Sequence, residues 1–310
     1  MGTSFSELDT AGWDSAALLN DRLIHIASSV SSFDRSPMAY LHVYGNLRAL
    51  FGQLVAGLDA RYIAYRNHDP MGRREEDKQS LTRITQSLVP PSIEVWEQEK
   101  CLSDDLPIKP QRLMLELVKK CSPQSSFVID TGNAWSWGTH YMHLKAAGSF
   151  HIAMGFGAMG WAIGAAVGIA FARPSAPVVC VTGDGAYLMS GQELSVAVQQ
   201  RQRIVYIVLN DAALGMVKHG QRMNQAEEIG VELPLVDFAA IAAAQGAAAY
   251  SVKSWEDFEF IPEQAWLCEA GPVLIDVQID GEEIPPMQSR LDVLQVAKHG
   301  VNLTDLEASL

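Results

Sequence analysis

The segment Val178–Gln221, VVCVTGDGAYLMSGQELSVAVQQRQRIVYIVLNDAALGMVKHGQ, admits few folds. Val178–Thr182 is a short β-branched apolar run, the pattern of a buried strand. Gly183-Asp184-Gly185 interrupts it, and glycines there permit a sharp turn and close approach of a ligand to the backbone. Residues 191–200 then place apolar side chains at Leu194, Val196, Ala197 and Val198, as expected of a helix between strands. Ile204–Leu209 is a second buried strand, and it ends in Asn210-Asp211. In parallel α/β sheets ligands bind outside the carboxyl ends of the strands, and two such ends here carry an acid. A phosphate alone would want Lys, Arg and bare N–H groups. Two carboxylates beside glycine turns suit a hard divalent cation, which can bridge protein oxygens to a diphosphate. The same residues also read as two ordinary turns whose Asp caps the following helix.

The rest of the chain extends this pattern. Strands near residues 127, 178, 204, 249 and 273 alternate with helices, which predicts an α/β fold with a doubly wound parallel sheet sandwiched by helices. The strand Phe127–Asp130 ends in Asp130-Thr131-Gly132-Asn133, where Asn133 either hydrogen-bonds a phosphate or caps the next helix. His140 and His143 could share a helix face, but no carboxylate lies beside them, so a packed aromatic helix with satisfied histidines is expected. Ile152–Ala172 is 21 residues without a charge, long enough to span a bilayer. Its five glycines instead predict a buried helix packed closely on its neighbours.

Upstream, Arg22–Ala27 and Tyr40–Tyr44 read as strands, and a helix begins at Asn46. The predicted organisation is a small α/β segment over 1–62, a polar linker over 63–107, the main domain over 108–287 and a tail over 288–310. The net charge of −13 argues against a nucleic-acid partner. Four dispersed cysteines without a CxxC pair read as free thiols of a reducing cytoplasm. The first residues lack the basic and apolar regions of a signal peptide. A cytoplasmic protein without a membrane partner is expected.

Five colinear segments are DTGNAW at 130–135, GFGAMGWAIGAAVG at 155–168, GDGAYLMSGQEL at 183–194, LNDAALGMV at 209–217 and GPVLIDVQID at 271–280. In that order and spacing they resemble the acetolactate-synthase-like branch of the thiamine-diphosphate enzymes. The resemblance implies that residues 108–287 are the diphosphate-binding (PP) domain and that residues 1–62 resemble the end of the family's central domain. It implies Mg²⁺ held by Asp184, Asp211 and the Ala213 carbonyl. Asp211 stands 27 residues after Asp184, where the family usually has Asn. Asp remains an oxygen ligand but adds negative charge beside a diphosphate. Gly183, Gly185, Ala186 and Asn133 would line the diphosphate. Met159 matches the residue that props the cofactor into its bent form, the Gly157 carbonyl and Met159 amide match contacts to the aminopyrimidine, and Met216 would pack near the thiazolium.

Two departures from the family shape the functional expectation. The family's N-terminal pyrimidine-binding domain, whose Glu hydrogen-bonds the aminopyrimidine, has no counterpart in this sequence. The resemblance therefore implies one subunit of a split 2-oxo acid decarboxylase or carboligase, with no catalytic residue of its own. A partner chain in a hetero-oligomer such as α2β2 would supply the Glu. A non-catalytic cofactor-binding or regulatory subunit is the alternative. Biosynthetic acetolactate synthases also carry a Trp at the position of Gly220. Its loss would open the pocket formed near His219, Gly220 and Gln221 to a substrate other than the usual acetolactate pair.

Overall fold

The computed structural model describes residues 21–67, 95–153 and 155–286. They fall into two units, one ending before Val95 and one beginning there. Residues 1–20, 68–94 and 287–310 lie outside the described residues, and with them most of the predicted linker and the predicted tail.

In the first unit, β1 (Ile24–Ala27) and β2 (Leu41–Tyr44) pair in parallel, with Ile24 opposite Leu41. The loop between them is tied at its base, where buried His25 Nδ1 lies 2.7 Å from Ser36 Oγ. The helix Leu47–Asn67 follows. Asn46 Oδ1 accepts from the Ala49 amide at 3.1 Å, so Asn46 serves as the predicted N-cap.

The second unit holds a six-stranded, all-parallel sheet. Its strands are β3 (Ser126–Ile129), β4 (Phe150–Ile152), β5 (Val178–Gly183), β6 (Ile204–Asn210), β7 (Ala248–Val252) and β8 (Val273–Gln278), in the order β4-β3-β5-β6-β8-β7. The chain runs from β3 outward to β4 and then returns to the other side of β3 for β5. That reversal is the switch point at which open α/β sheets bind ligands. Successive side chains point to opposite faces. Val179, Val181, Val205, Ile207, Ile275 and Val277 join one core, and Val178, Cys180, Ile204, Tyr206, Val208 and Leu274 join the other. Helices cover both faces, so the central strands are apolar throughout instead of alternating. One layer contains Pro110–Lys120, which buries Leu113, Met114 and Leu117, and Asn133–Tyr141, which buries Trp137 and Tyr141. The other contains Trp161–Ala172, whose buried positions are Ala162, Ile163, Ala166 and Ala170.

The predicted doubly wound sheet is therefore present, with four local corrections. Residues 152–172 do not form one helix: Ile152 ends β4, a glycine loop follows, and only Trp161–Ala172 is helical. Gly157 and Gly160 have φ of +71° and +83°, which stops the helix from starting earlier. No described helix is long and apolar enough to cross a membrane. β4 was not predicted, because three half-buried residues carry almost no period. The second unit begins at Val95 and not at 108, because Cys101 is buried in its core and Val95 packs against it. His143 lies beyond the C-cap Met142, off the helix that carries His140, so the two do not share a helix face.

Gly160 also limits what this corner tolerates. A Cβ there would lie 2.5 Å from Ser190 Oγ, in a left-handed backbone. Gly160→Ala is expected to destabilise the chain by roughly 2–4 kcal/mol, combining backbone strain with overpacking. A denaturation midpoint equal to that of the parent chain would contradict this.

Candidate active site

Three strand ends converge on one cleft. It is lined by Thr131, Gly132, Asn133 and Ala134 after β3, by Gly183 to Ala186 after β5, and by Leu209 and Asp211 after β6. Ala213 to Val217, Met159 and Ile279 complete it. Strand pairing brings the ends together: Gly183 sits beside Leu209, and Ile129 beside Val181.

Asp130, at the base, is an anchor and not a cleft residue. It is fully buried and accepts hydrogen bonds from the Thr131 amide at 2.9 Å, the Gly160 amide at 3.1 Å and the Thr182 hydroxyl at 2.7 Å. These bonds join the first strand end to the glycine loop and to β5. Burial raises its pKa, and the hydrogen bonds oppose that rise.

Asp184 opens a short helix on the β5 end and is 3% exposed. Its Oδ1 accepts from the Gly185 amide at 2.6 Å and its Oδ2 from the Ala213 amide at 3.3 Å. The loop that presents Ala213 is pinned from outside. The Leu214 amide donates to Val231 at 2.7 Å, and the Leu233 amide to Ala212 at 2.8 Å. Ala212 turns the chain in the left-handed region, at φ +51°. Burial pushes the Asp184 carboxyl up to about 6 against the pull of surrounding amides. Burial, and then the negative charge of Asp184, push Asp211 up to about 7, with Lys218 acting the other way. Two acids that resist ionisation side by side form an electrostatic arrangement that a divalent cation would relieve.

The donor set fits such a cation only in part. No group of three or more His, Cys, Asp or Glu able to hold a metal exists among the described residues. Two carboxylates and a backbone carbonyl would leave coordination positions for outside oxygens, as a diphosphate would supply. The backbone around the acids is bare. A Cβ on Gly185 would lie 2.7 Å from Leu214 Cδ2, and one on Gly215 would lie 2.5 Å from Asn133 Nδ2. Met159 Cε lies within 3.4 Å of the same Gly185 position, so this side chain stands over the glycine turn. Buried Asn133 Oδ1 has no partner among the described residues, an orphaned polar atom on the cleft wall.

The structure thus brings together Asn133, Met159, Gly183, Asp184, Gly185, Ala186, Asp211, Ala213 and Met216. It does not place Gly157, His219, Gly220 or Gln221 on the cleft lining. His219 is fully buried, with its ring nitrogens on Asn133 and the Gly281 carbonyl. Gln221 exchanges hydrogen bonds with the Ile229 backbone through both ends of its amide. A Cβ on Gly220 would meet open space. Sequence reasoning missed Thr131, Leu214 and Ile279, as well as the strap at 231–233. Thr131, Leu214 and Ile279 lie inside the quoted segments but are apolar or neutral and carried no site signal of their own, whereas the strap is brought in from outside them.

Residues 130–277 match the family described as thiamine pyrophosphate enzyme, C-terminal TPP binding domain. The chain is 28% identical over 281 residues to the acetolactate synthase isozyme 3 large subunit of Escherichia coli, covering 87% of this chain and 46% of that protein. It is 33% identical over 207 residues to the acetolactate synthase large subunit of Buchnera aphidicola, covering 64% and 36%. The chain spans about half or less of the length of the relatives it matches. The Rhodococcus jostii thiamine diphosphate-dependent 4-hydroxybenzoylformate decarboxylase shares the fold, with a TM-score of 0.63 at 23% identity over 84% of this chain and 44% of that one.

Proposed function

From a chain whose residues 130–277 belong to the thiamine pyrophosphate enzymes as their C-terminal cofactor-binding domain, we propose a PP-domain subunit of a 2-oxo acid decarboxylase or carboligase. Asp184, Asp211 and the Ala213 carbonyl would hold Mg²⁺ in this reading, and the ion would supply positive charge to the diphosphate of thiamine diphosphate. Gly185, Ala186 and Asn133 would offer backbone and amide contacts to that diphosphate, and Met159, beside the Gly185 turn, would support the cofactor. The observation that carries the reading is the pair of acids at adjacent strand ends, Asp184 buried and Asp211 half-buried, both held well above the usual carboxylate range.

Thiamine diphosphate, when bound, supplies a nucleophilic thiazolium carbon and an electron sink for a 2-oxo acid. The protein's share is positioning and a dry, shaped cleft. No glutamate lines this cleft among the described residues. That supports a catalytic Glu supplied by a pyrimidine-binding domain in a partner chain. Phe156, 97% exposed, and Leu188 and Met189, about half exposed, leave apolar surface in the glycine loop and the first helix after β5 that such a partner could cover.

Calorimetric titration of the full chain with thiamine diphosphate and Mg²⁺, without and with a pyrimidine-binding chain, tests the proposal. Mg²⁺-dependent binding that tightens with the second chain is the expected result. Binding without turnover of any 2-oxo acid in the assembled complex would favour a regulatory subunit. The absence of binding under both conditions would remove the functional reading and leave the fold.

A further inference from the structure

We propose that His219 is a positioning residue whose two ring nitrogens hold Asn133 and the turn at Gly281, and through them set where Asp211 stands. The consequence for cation binding rests on the functional reading above; the placement itself does not.

His219 lies on the helix Gly215–Met223 and is fully buried. Its Nε2 is 3.1 Å from the Gly281 carbonyl, and its Nδ1 is 3.4 Å from Asn133 Nδ2. A carbonyl can only accept, so Nε2 carries the proton and Nδ1 accepts from the Asn133 amide. The imidazole therefore has one tautomer and one orientation available. It also fixes which end of Asn133 faces away from it, namely Oδ1, the orphaned acceptor on the cleft wall.

The Gly281 turn abuts Asp211 directly. A Cβ on Gly281 would lie 2.9 Å from Asp211 Cβ and 3.1 Å from Asp211 Oδ2. On the other side, a Cβ on Gly215 would lie 3.1 Å from the same oxygen and 2.5 Å from Asn133 Nδ2. Asp211 is thus wedged between two bare backbone positions, and His219 bonds to the carbonyl of one and to the side chain beside the other. Ion pairs hold the flanks of this turn. Lys109 reaches Asp280 at 2.7 Å and Glu283 at 2.8 Å, and Lys218 and Arg222 reach Glu282 at 2.5 and 2.7 Å. His219 supplies the bond to Gly281 itself. Groups bonded directly to a metal's ligands typically govern affinity by about 10–100-fold; His219 acts through Gly281 and Asn133, one contact further out, so its effect is expected at or below the lower end of that range.

Two substitutions separate positioning from bulk. His219→Leu removes both bonds. His219→Gln keeps a donor and an acceptor a similar distance apart at the end of a side chain of similar reach. The full chain and both variants are titrated with Mg²⁺ and thiamine diphosphate. A loss of affinity of up to about 10-fold in His219→Leu, with most of it restored in His219→Gln, is expected. Equal affinity in all three proteins would overturn the inference while leaving the cofactor assignment standing. So would equal losses in Leu and Gln variants that both remain folded. If His219→Leu does not fold, a loss in a folded His219→Gln variant as great as that predicted for Leu overturns the inference, and near-parental affinity supports it. If the parent chain binds neither ligand, the functional reading fails and a ligand-free measurement decides the placement. ¹⁵N shifts of selectively labelled histidine then report the tautomer of His219. A fixed Nε2–H form supports the positioning role, and exchange between tautomers overturns it.

Discussion

Asp184→Ala is expected to abolish Mg²⁺-dependent binding of thiamine diphosphate, with a loss of more than about 100-fold, beyond the range seen when groups behind a metal ligand are removed. The same substitution leaves the stability of the ligand-free chain nearly unchanged. Two opposing effects produce that split. The carboxylate receives the Gly185 and Ala213 amides, and losing these bonds costs roughly 1–3 kcal/mol. Its ionised form is also disfavoured by burial, which raises its pKa from 3.8 to about 6. Removing that penalty returns about 3 kcal/mol near neutral pH. Binding calorimetry and denaturant melts on one preparation test both halves. Retained affinity would remove Asp184 from the metal site. A loss of affinity accompanied by a collapse in stability would show a structural role instead.

Asp211→Asn is expected to stabilise the metal-free chain, with a gain that depends on pH. Asp211 is raised from 3.8 to about 7, first by burial and then by Asp184. A carboxyl whose folded pKa lies above its unfolded value favours the folded state most below the unfolded pKa. Its contribution is lost as pH rises through the folded pKa. At pH 4 the acid is largely protonated in the fold, and Asn should behave much like Asp. Between pH 4 and about 7 the parent chain loses stability that the variant retains. The gain should reach roughly 2–4 kcal/mol at pH 8 in the presence of a chelator. Adding Mg²⁺ and cofactor narrows the gap, because binding stabilises the form that has the stronger cation site. Urea melts at pH 4.5 and pH 8, with and without Mg²⁺, provide the measurement. A gain independent of pH would mean that Asn improves packing and not charge. A destabilised variant at pH 8 would mean that the two acids are not in conflict.

The order of the anchor strands, the glycine turns and the acids at 184 and 211 were legible because each depends on near neighbours in the chain. A buried strand needs an apolar β-branched run, and Val178–Thr182 and Ile204–Leu209 supply it. A sharp turn needs glycine, and a cation needs oxygen ligands. Residues 152–172 read as one helix in the sequence because apolar length alone does not distinguish a helix from a strand end, a loop and a shorter helix. The positive φ angles at Gly157 and Gly160 decide between them. Residues 95–107 read as linker in the sequence because the burial of Cys101 and the packing of Val95 depend on contacts with the rest of the domain.

The role of His219 shows the boundary most clearly. By position it lies beside the residues that match the family's substrate pocket, and its chemistry suits either solvent or substrate. Folding turns it inward, between Asn133, 86 residues away, and Gly281, 62 residues away. The sequence by itself determined which strand ends carry acids and bare backbone, since those properties belong to single residues and to short-range periodicity. Only the tertiary structure decided which of those groups touch, how far burial raises Asp184 and Asp211, and which side chain holds them in place. Desolvation and close packing are properties of the assembled sheet and helices, and no local stretch of the chain contains them.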